Sequence, residues 1–349
     1  MTLCYDNLVY SLQPFGGIST YWYELTQRML KVKELDLRFY ETGREHQNVC
    51  RKKLNIASQQ VIRSNRAGII VERFLKLPAY PDPHLFHSSY FRLPEKRRNA
   101  RVVTTVHDFI HDIYFSGPRV WLHNRMKRSA ILGSDLIITV SEHTKKDLLH
   151  FYPHLDEAKV KVIYNGVSEN YHRLAAPMEV KRPYFLFLGL RDVYKNFDFA
   201  LDVVADQPGY MLYVLGPPLN AQERAMLEQK LPGRYKVFTA VDEAMLNELY
   251  NAAFCLLYPS EYEGFGIPIL EAMRAGCPFI ALHKSAIPEV AGDAGILLEA
   301  ADLELARAAI RQIEDNRPAL VNRGLQQSQR FSWERCFEQT YQAYQSLQS

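Results

Sequence analysis

The sequence predicts an α/β protein built from two Rossmann-like domains, each a parallel sheet covered by helices. Three observations lead there. Short apolar runs that read as buried strands alternate with stretches of helical spacing along almost the whole chain, the pattern of a parallel sheet with helices on both faces. The chain has 349 residues, more than one hydrophobic core sustains. The alternation breaks once, at a polar connector that opens with Asn165-Gly166 and runs past Pro177 and Pro183, and then restarts. This places the boundary at 172/173, with a second domain over 173–331.

In the first half, strands are expected at 3–10, 35–40, 84–88, 101–106, 136–140 and 159–164. Helices are expected at 21–33, where Trp22, Leu25, Met29 and Leu30 fall on one face, at 120–132, and at 142–151 behind the N-cap Ser141. Residues 43–83 are polar and basic, with a short helix at 71–77 as the one element suggested. In the second half, strands are expected at 184–188, 211–215, 236–239, 254–258 and 279–282. Helices start at Phe197, Asn220, Glu243 and Pro268, and further helical segments cover 303–313, 319–330 and 332–347. Ligands of tandem sheets of this kind bind at the carboxyl ends of the strands, so the cleft between the domains is the expected site.

Composition narrows the function. The hydrophobic share of 47% and charged share of 23% are those of a globular protein, and the 12% aromatic share suits large cores or a sugar-stacking cleft. No run of 18 apolar residues occurs, so no membrane-spanning helix is expected. Met1-Thr-Leu-Cys-Tyr-Asp6 carries an early acid and no basic run, unlike a secretory signal. Five scattered cysteines with no C-x-x-C pair read as buried thiols in a reducing cytosol. Residues 1–172 hold 25 Lys+Arg against 17 Asp+Glu, a balance of +8, whereas residues 173–349 hold 17 against 22, a balance of −5. The excess gathers at Arg51-Lys52-Lys53, Arg63, Arg66, Arg73, Lys76 and from Arg92 to Arg101. Such runs are commonly solvated surface; the sharper reading is a face for anionic lipid or a lipid-diphosphate acceptor. No nucleic-acid motif accompanies the charge, so nucleic acid is not an expected partner.

The chemistry concentrates at Tyr258-Pro-Ser-Glu-Tyr-Glu-Gly-Phe-Gly-Ile-Pro-Ile-Leu-Glu-Ala-Met-Arg-Ala-Gly-Cys277. A strand feeds a glycine loop, and a helix starting at Pro268 offers free N–H groups and a partial positive charge, a cradle for phosphate. An ordinary βα turn carries the same punctuation. The carboxylates Glu263 and Glu271 repel phosphate but accept from neutral hydroxyls on either side of it, which describes a nucleotide-sugar. Arg191 and Lys195 follow Phe187-Leu-Gly189 at another strand's carboxyl end, within reach of a diphosphate. His107 and Asp108 end a buried strand and should face the cleft; His111 and Asp112 lie close by, but the first histidine ends a strand, so helical metal-ligand spacing is doubtful. No metal site is expected. G-x-G-x-x-G after a strand, Walker A and D-x-D are all absent from the sequence, which leaves basic side chains and the helix N-terminus to neutralise a leaving diphosphate.

These motifs identify a resemblance. The chain resembles the retaining nucleotide-sugar glycosyltransferases of the GT-B fold, family 4, a group that includes mannosyltransferases of bacterial polysaccharide synthesis. The E-x7-E signature stands as Glu263-Gly-Phe-Gly-Ile-Pro-Ile-Leu-Glu271, followed by Ile287-Pro-Glu-Val-Ala-Gly292. Gly16-Gly17-Ile18-Ser19, Val106-His107-Asp108, Tyr164-Asn-Gly-Val167, Lys195-Asn196 and Phe331-Ser-Trp333 extend it along nearly the whole chain. It implies that Glu263 contacts the donor hexose and Glu271 the ribose hydroxyls. It further implies that Arg191 and Lys195 bind the diphosphate with amides of Gly264, Phe265 and Gly266, and that Gly16, Gly17 and His107 complete the cleft. One position departs: family members often carry Arg directly after the strand's glycine, where this chain has Leu190. The last helix, 332–349, is expected to return to the first domain. The implied protein is a metal-independent cytoplasmic enzyme at the inner face of the membrane, with no cofactor. Its donor would be a nucleotide-diphospho-sugar, GDP-mannose favoured, and its acceptor a glycan or lipid-linked glycan of cell-surface polysaccharide. The rival expectations are a nucleotide-sugar epimerase on the same fold and a catalytically silent sugar-nucleotide-binding partner.

Overall fold

The computed structural model describes residues 1–42, 47–64 and 69–347, and the counts below refer to these. The chain forms two compact units, Met1–Asn165 with Trp333–Ser349, and Gly166–Ser332. The division falls seven residues before the expected 172/173. The cause is local: Asn170 Nδ2 donates to Glu243, His172 N–H to Asn247 Oδ1 (3.0 Å) and Leu174 N–H to Asn251 Oδ1 (2.7 Å), so the start of the connector is fixed to the second unit.

The first unit is a seven-stranded sheet of β1 (Thr2–Asp6), β2 (Asp36–Glu41), β3 (Val61–Arg63), β4 (His84–Ser88), β5 (Ala100–Val106), β6 (Leu136–Thr139) and β7 (Val160–Val162), in the order β3-β2-β1-β4-β5-β6-β7. All its pairs are parallel. The second is a six-stranded sheet of β8 (Tyr184–Leu188), β9 (Met211–Leu215), β10 (Tyr235–Phe238), β11 (Cys255–Tyr258), β12 (Phe279–Leu282) and β13 (Ile296–Leu298), in the order β10-β9-β8-β11-β12-β13, again all parallel. Both orders reverse direction beside the first strand, between β1 and β4 and between β8 and β11. In such sheets that reversal opens the crevice where ligands bind. The α/β architecture of two Rossmann-like units is thus the one the sequence predicts.

Several elements differ from expectation. The first strand stops at Asp6, not at residue 10. Asp6 Oδ1 accepts from Leu8 N–H (3.2 Å), Val9 N–H donates to Ser89 Oγ (3.0 Å), and a short helix, Val9–Leu12, follows. The helix expected at 71–77 is Ile69–Glu72. Strands β3 and β13, three residues each at sheet edges, carry too little pattern to be read in advance. The segments 303–313 and 319–330 form one helix, Leu303–Ser328, kinked at Asn316 (φ −128°, ψ 20°) just before Pro318, where the proline cannot donate to the preceding turn.

Helix Trp333–Gln345 belongs to the first unit. Trp333, Cys336, Thr340, Ala343 and Tyr344 lie on its buried face, spaced three and four apart as a helix packed along one side requires. Tyr344 Oη meets His87 Nδ1 at 2.5 Å and Tyr5 Oη at 3.2 Å, inside a ring of Tyr21, Trp22 and Thr105.

The basic run does not remain on the surface as a whole. Arg92 is buried against Asp6 and Glu72, Arg51 Nε pairs with Glu41 at 2.7 Å, and Arg73 stacks over Tyr90. Lys52, Lys53, Arg63, Lys76, Lys96, Arg97, Arg98 and Arg101 are exposed, and Arg66 lies outside the described residues.

Candidate active site

The expected site residues of the second unit sit on the loops after β8 and β11, the two strands that flank its reversal point, and, for Glu271, on the helix that follows β11. After β8 the chain passes Gly189 (φ +111°) and turns through Val193–Lys195, and Asn196 then adopts a left-handed conformation (φ 49°, ψ 46°) before the next helix. Asn196 stitches the two loops together: its Nδ2 donates to Pro259 O (3.0 Å) and Glu261 Oε1 (3.1 Å), while Glu261 N–H donates to Tyr194 O (2.7 Å). That stitching brings Lys195 Nζ onto Glu263 Oε1 as an ion pair. Their side chains are 12% and 11% exposed, so the pair is shielded yet open to solvent on one side.

Tyr194 and Tyr258 present their rings to the Lys195 ammonium at 5.3 Å each, adding cation–π attraction. Glu263 N–H donates to Ser285 Oγ (2.8 Å), and Ser285 takes a positive φ of 51°. The loop closes on Gly266, at φ +108° and ψ 49°, a left-handed position that only glycine adopts without strain. The helix Ile267–Arg274 follows, so Pro268 is its second residue, not its first. Gly264, Phe265 and Gly266 are buried, and Phe265 packs edge-on to Phe331 at 5.8 Å.

Glu271 lies one turn into that helix, and Tyr250 Oη donates to its Oε2 at 2.9 Å, with Tyr171 packed edge-on to Tyr250 at 6.0 Å. Burial pushes its pKa up to about 7; Tyr250 and Tyr171 act downward, and Glu243 acts upward.

Arg191 contacts the segment that follows β9. Its Nε faces Glu223 Oε1 at 2.9 Å and its Nη2 donates to the carbonyls of Pro217 (2.8 Å) and Pro218 (3.1 Å), while Nη1 is buried with no hydrogen-bond partner. A Cβ on Gly216 would stand 2.3 Å from Gly189 O, so close approach of these two loops requires glycine there. Sequence reasoning missed Tyr171, Tyr250, Ser285, Glu223 and Gly216. Tyr171 and Ser285 approach the motif from distant segments, and Gly216 after β9 was the one glycine signal available.

In the first unit, Gly16 precedes the helix Gly17–Met29, where Ser19 Oγ donates back to its carbonyl at 2.8 Å. His107 follows β5, edge-on to Tyr21 at 5.0 Å. Burial, with Lys127 second, lowers its pKa to about 4, so it is neutral at pH 7. Asp108 caps Ile110 N–H at 3.0 Å, and Lys127 binds Asp108 O and Asp112 at 2.7 Å each. His111 and His123 lie ring to ring at 4.5 Å. Among the described residues, no three or more His, Cys, Asp or Glu are grouped to hold a metal, and no helix is long and apolar enough to cross a membrane.

A lysine–carboxylate pair and a glycine-capped helix lie at the reversal point of a parallel α/β sheet, the place where such sheets bind ligands. Comparison with known proteins gives the family. "Glycosyltransferase Family 4" matches residues 15–171 and "Glycosyl transferases group 1" matches residues 172–330, and the chain belongs to this family of GT-B glycosyltransferases. It is similar to O-antigen chain mannosyltransferase B of Escherichia coli, with 28% identity over 96% of this chain and 97% of that one. Its fold is that of sucrose-phosphate synthase from Thermosynechococcus elongatus (TM-score 0.79, 18% identity, 99% and 98% covered). It is also that of Anabaena HepE in complex with UDP-glucose (TM-score 0.74, 16% identity, 99% and 100% covered).

Proposed function

We propose that this glycosyltransferase is a retaining, metal-independent enzyme. In this reading it moves a hexose, mannose from GDP-mannose, onto a growing lipid-linked glycan at the inner face of the cytoplasmic membrane. The observation that carries the reading is the Lys195–Glu263 pair on the two loops at the reversal point. A diphosphate outcompetes one carboxylate for the ammonium, because hydrogen bonds to charged groups contribute about 1.5–3 kcal/mol each. Lys195 then turns to the leaving group, and Glu263 is released to accept from hexose hydroxyls. In this reading the amides of Phe265 and Gly266 and Arg191 Nη1, which is buried without a hydrogen-bond partner, supply further donors to the diphosphate. Glu271 accepts from the ribose. The bond from the sugar's anomeric carbon to the phosphate oxygen breaks, the bond to the acceptor oxygen forms on the same face, and the acceptor proton passes to the departing phosphate. His107, neutral at pH 7, serves as a hydrogen-bonding group and carries no charge.

Mannose is supported by the name of the E. coli relative, and a nucleotide-sugar donor by the UDP-glucose bound in the Anabaena protein. Membrane contact is supported by the exposed basic residues of the first unit. It is also supported by an open groove of about 580 Å³ where Trp121 (62% exposed), Leu132 (54%) and Phe151 (39%) stand beside Arg125 and Arg128. Aromatic and basic side chains together suit an anionic lipid interface. The test is a panel of UDP-, GDP- and dTDP-sugars with a lipid-linked acceptor in anionic vesicles, with and without EDTA. Acceptor-dependent transfer from GDP-mannose, with the α-anomer retained and EDTA without effect, is expected. Turnover without acceptor would replace this reading with an epimerase, and strict metal dependence would overturn the account of the leaving group.

A further inference from the structure

The connector carries more than a link between units. Past Asn165 it runs over the helix Glu243–Ala252, whose side chains hold its backbone residue by residue. Asn247 Oδ1 accepts from His172 N–H (3.0 Å) and Asn251 Oδ1 from Leu174 N–H (2.7 Å). Asn251 Nδ2 donates to His172 O (3.0 Å), and Glu248 Oε2 accepts from Met178 N–H (3.2 Å). From the other side, Arg274 Nε donates to Tyr171 O (3.3 Å). Residues 243, 247 and 251 recur every four positions, so they form one row on the helix. A backbone fixed this tightly places the Tyr171 side chain, 5% exposed, edge-on at 6.0 Å to Tyr250, whose hydroxyl donates to Glu271.

We propose that Tyr250, buttressed by Tyr171, is a positioning residue for Glu271, holding its carboxylate so that its free acceptor sites meet one vicinal diol of the nucleotide. This rests on the reading of Glu271 as the ribose contact. A carboxylate has about four lone-pair sites. Tyr250 takes one of them, which leaves room for two hydroxyl donors on adjacent carbons. Protonation removes an acceptor and adds a donor, so only the ionised group matches the diol.

The environment puts that change near neutrality. Burial raises the Glu271 pKa to about 7, Glu243 adds to the rise, and the Tyr250 hydrogen bond opposes it, with Tyr171 acting the same way. Tyr258, from β11, also senses the Glu271 charge, and Arg274 on the same helix is turned to the Tyr171 carbonyl. Removing the Tyr250 hydroxyl therefore raises the Glu271 pKa further and moves the loss of diol binding to higher pH.

The experiment measures dissociation constants of the full chain for GDP or UDP, whichever binds more tightly, and for its 2′-deoxy counterpart, from pH 5.5 to 9. For the wild type, the ratio of ribonucleotide to 2′-deoxynucleotide affinity should fall about tenfold from pH 8 to pH 6, because the titration of the shared diphosphate cancels in the ratio. Tyr250→Phe should move this acid limb to higher pH and recover the wild-type ratio near pH 9. A Tyr→Phe profile that overlays the wild type, or one lowered by the same factor at every pH, overturns the positioning role. The underlying reading fails separately: Glu271→Gln would then keep both the pH dependence and the preference for ribose.

Discussion

The two units share a strand order and treat its reversal point in opposite ways. In the first, between β1 and β4, the crevice is filled by an ion cluster. Arg92 Nε donates to Asp6 Oδ2 (2.9 Å) and its Nη1 to Glu72 Oε1 (3.3 Å), Ser88 Oγ donates to Asp6 Oδ2 (3.1 Å), and the three charged side chains are at most 2% exposed. In the second, between β8 and β11, Lys195 pairs with Glu263 and the pair keeps contact with solvent. One topology therefore yields a sealed ion cluster in one sheet and a solvent-contacting ion pair in the other. The difference lies in how many charges converge and whether a third group finishes their hydrogen bonding. A buried cluster adds little net stability over apolar packing, but losing one member leaves uncompensated charge.

Substitutions separate the two arrangements. Arg92→Ala should lower stability by about 3–5 kcal/mol by leaving Asp6 and Glu72 unpaired in the interior, seen as a lower denaturant midpoint. Unchanged stability would mean that the cluster is not a structural plug. Lys195→Ala should leave the midpoint within about 1 kcal/mol yet reduce kcat/KM for transfer by about 10²–10³-fold; near-normal turnover would remove the diphosphate role.

The smallest effect concerns Glu271. Its folded pKa is raised to about 7 from an ordinary 4.5. Its contribution to stability is therefore full below pH 4.5 and lost as pH rises through 7, a change on the order of 3 kcal/mol. Glu271→Gln should flatten that part of the stability–pH curve for the ligand-free protein, measured by chemical denaturation across pH 4 to 8. A slope equal to that of the wild type would place the titration elsewhere.

What the sequence made legible follows from the range of the interactions concerned. Strands at 184–188 and 211–215 and the loop from Tyr258 to Gly266 are local patterns, and the structure has them where the residues put them. The charge on Arg92 was equally visible, but its partner Asp6 is 86 residues away, so its type suggested surface while its pairing made it core. Arg191 is similar: position after a strand suggested an anion contact, and Glu223, on another helix, occupies its Nε. The start of the connector was read as linker from its polarity. Its anchors, Asn247 and Asn251, lie on a helix whose outward row gave no sign of a second strand of chain.

The bond between Tyr5 and Tyr344 joins residues 339 positions apart, and this has a consequence for how the protein is made. The second unit is one continuous stretch and is able to fold as it leaves the ribosome. The first emerges earlier but lacks the helix that covers Trp22 and His87 until residues 333–345 are synthesised. At about 5–20 residues per second, it waits on the order of ten to forty seconds with that apolar face uncovered, an interval in which chaperone binding or aggregation competes with completion.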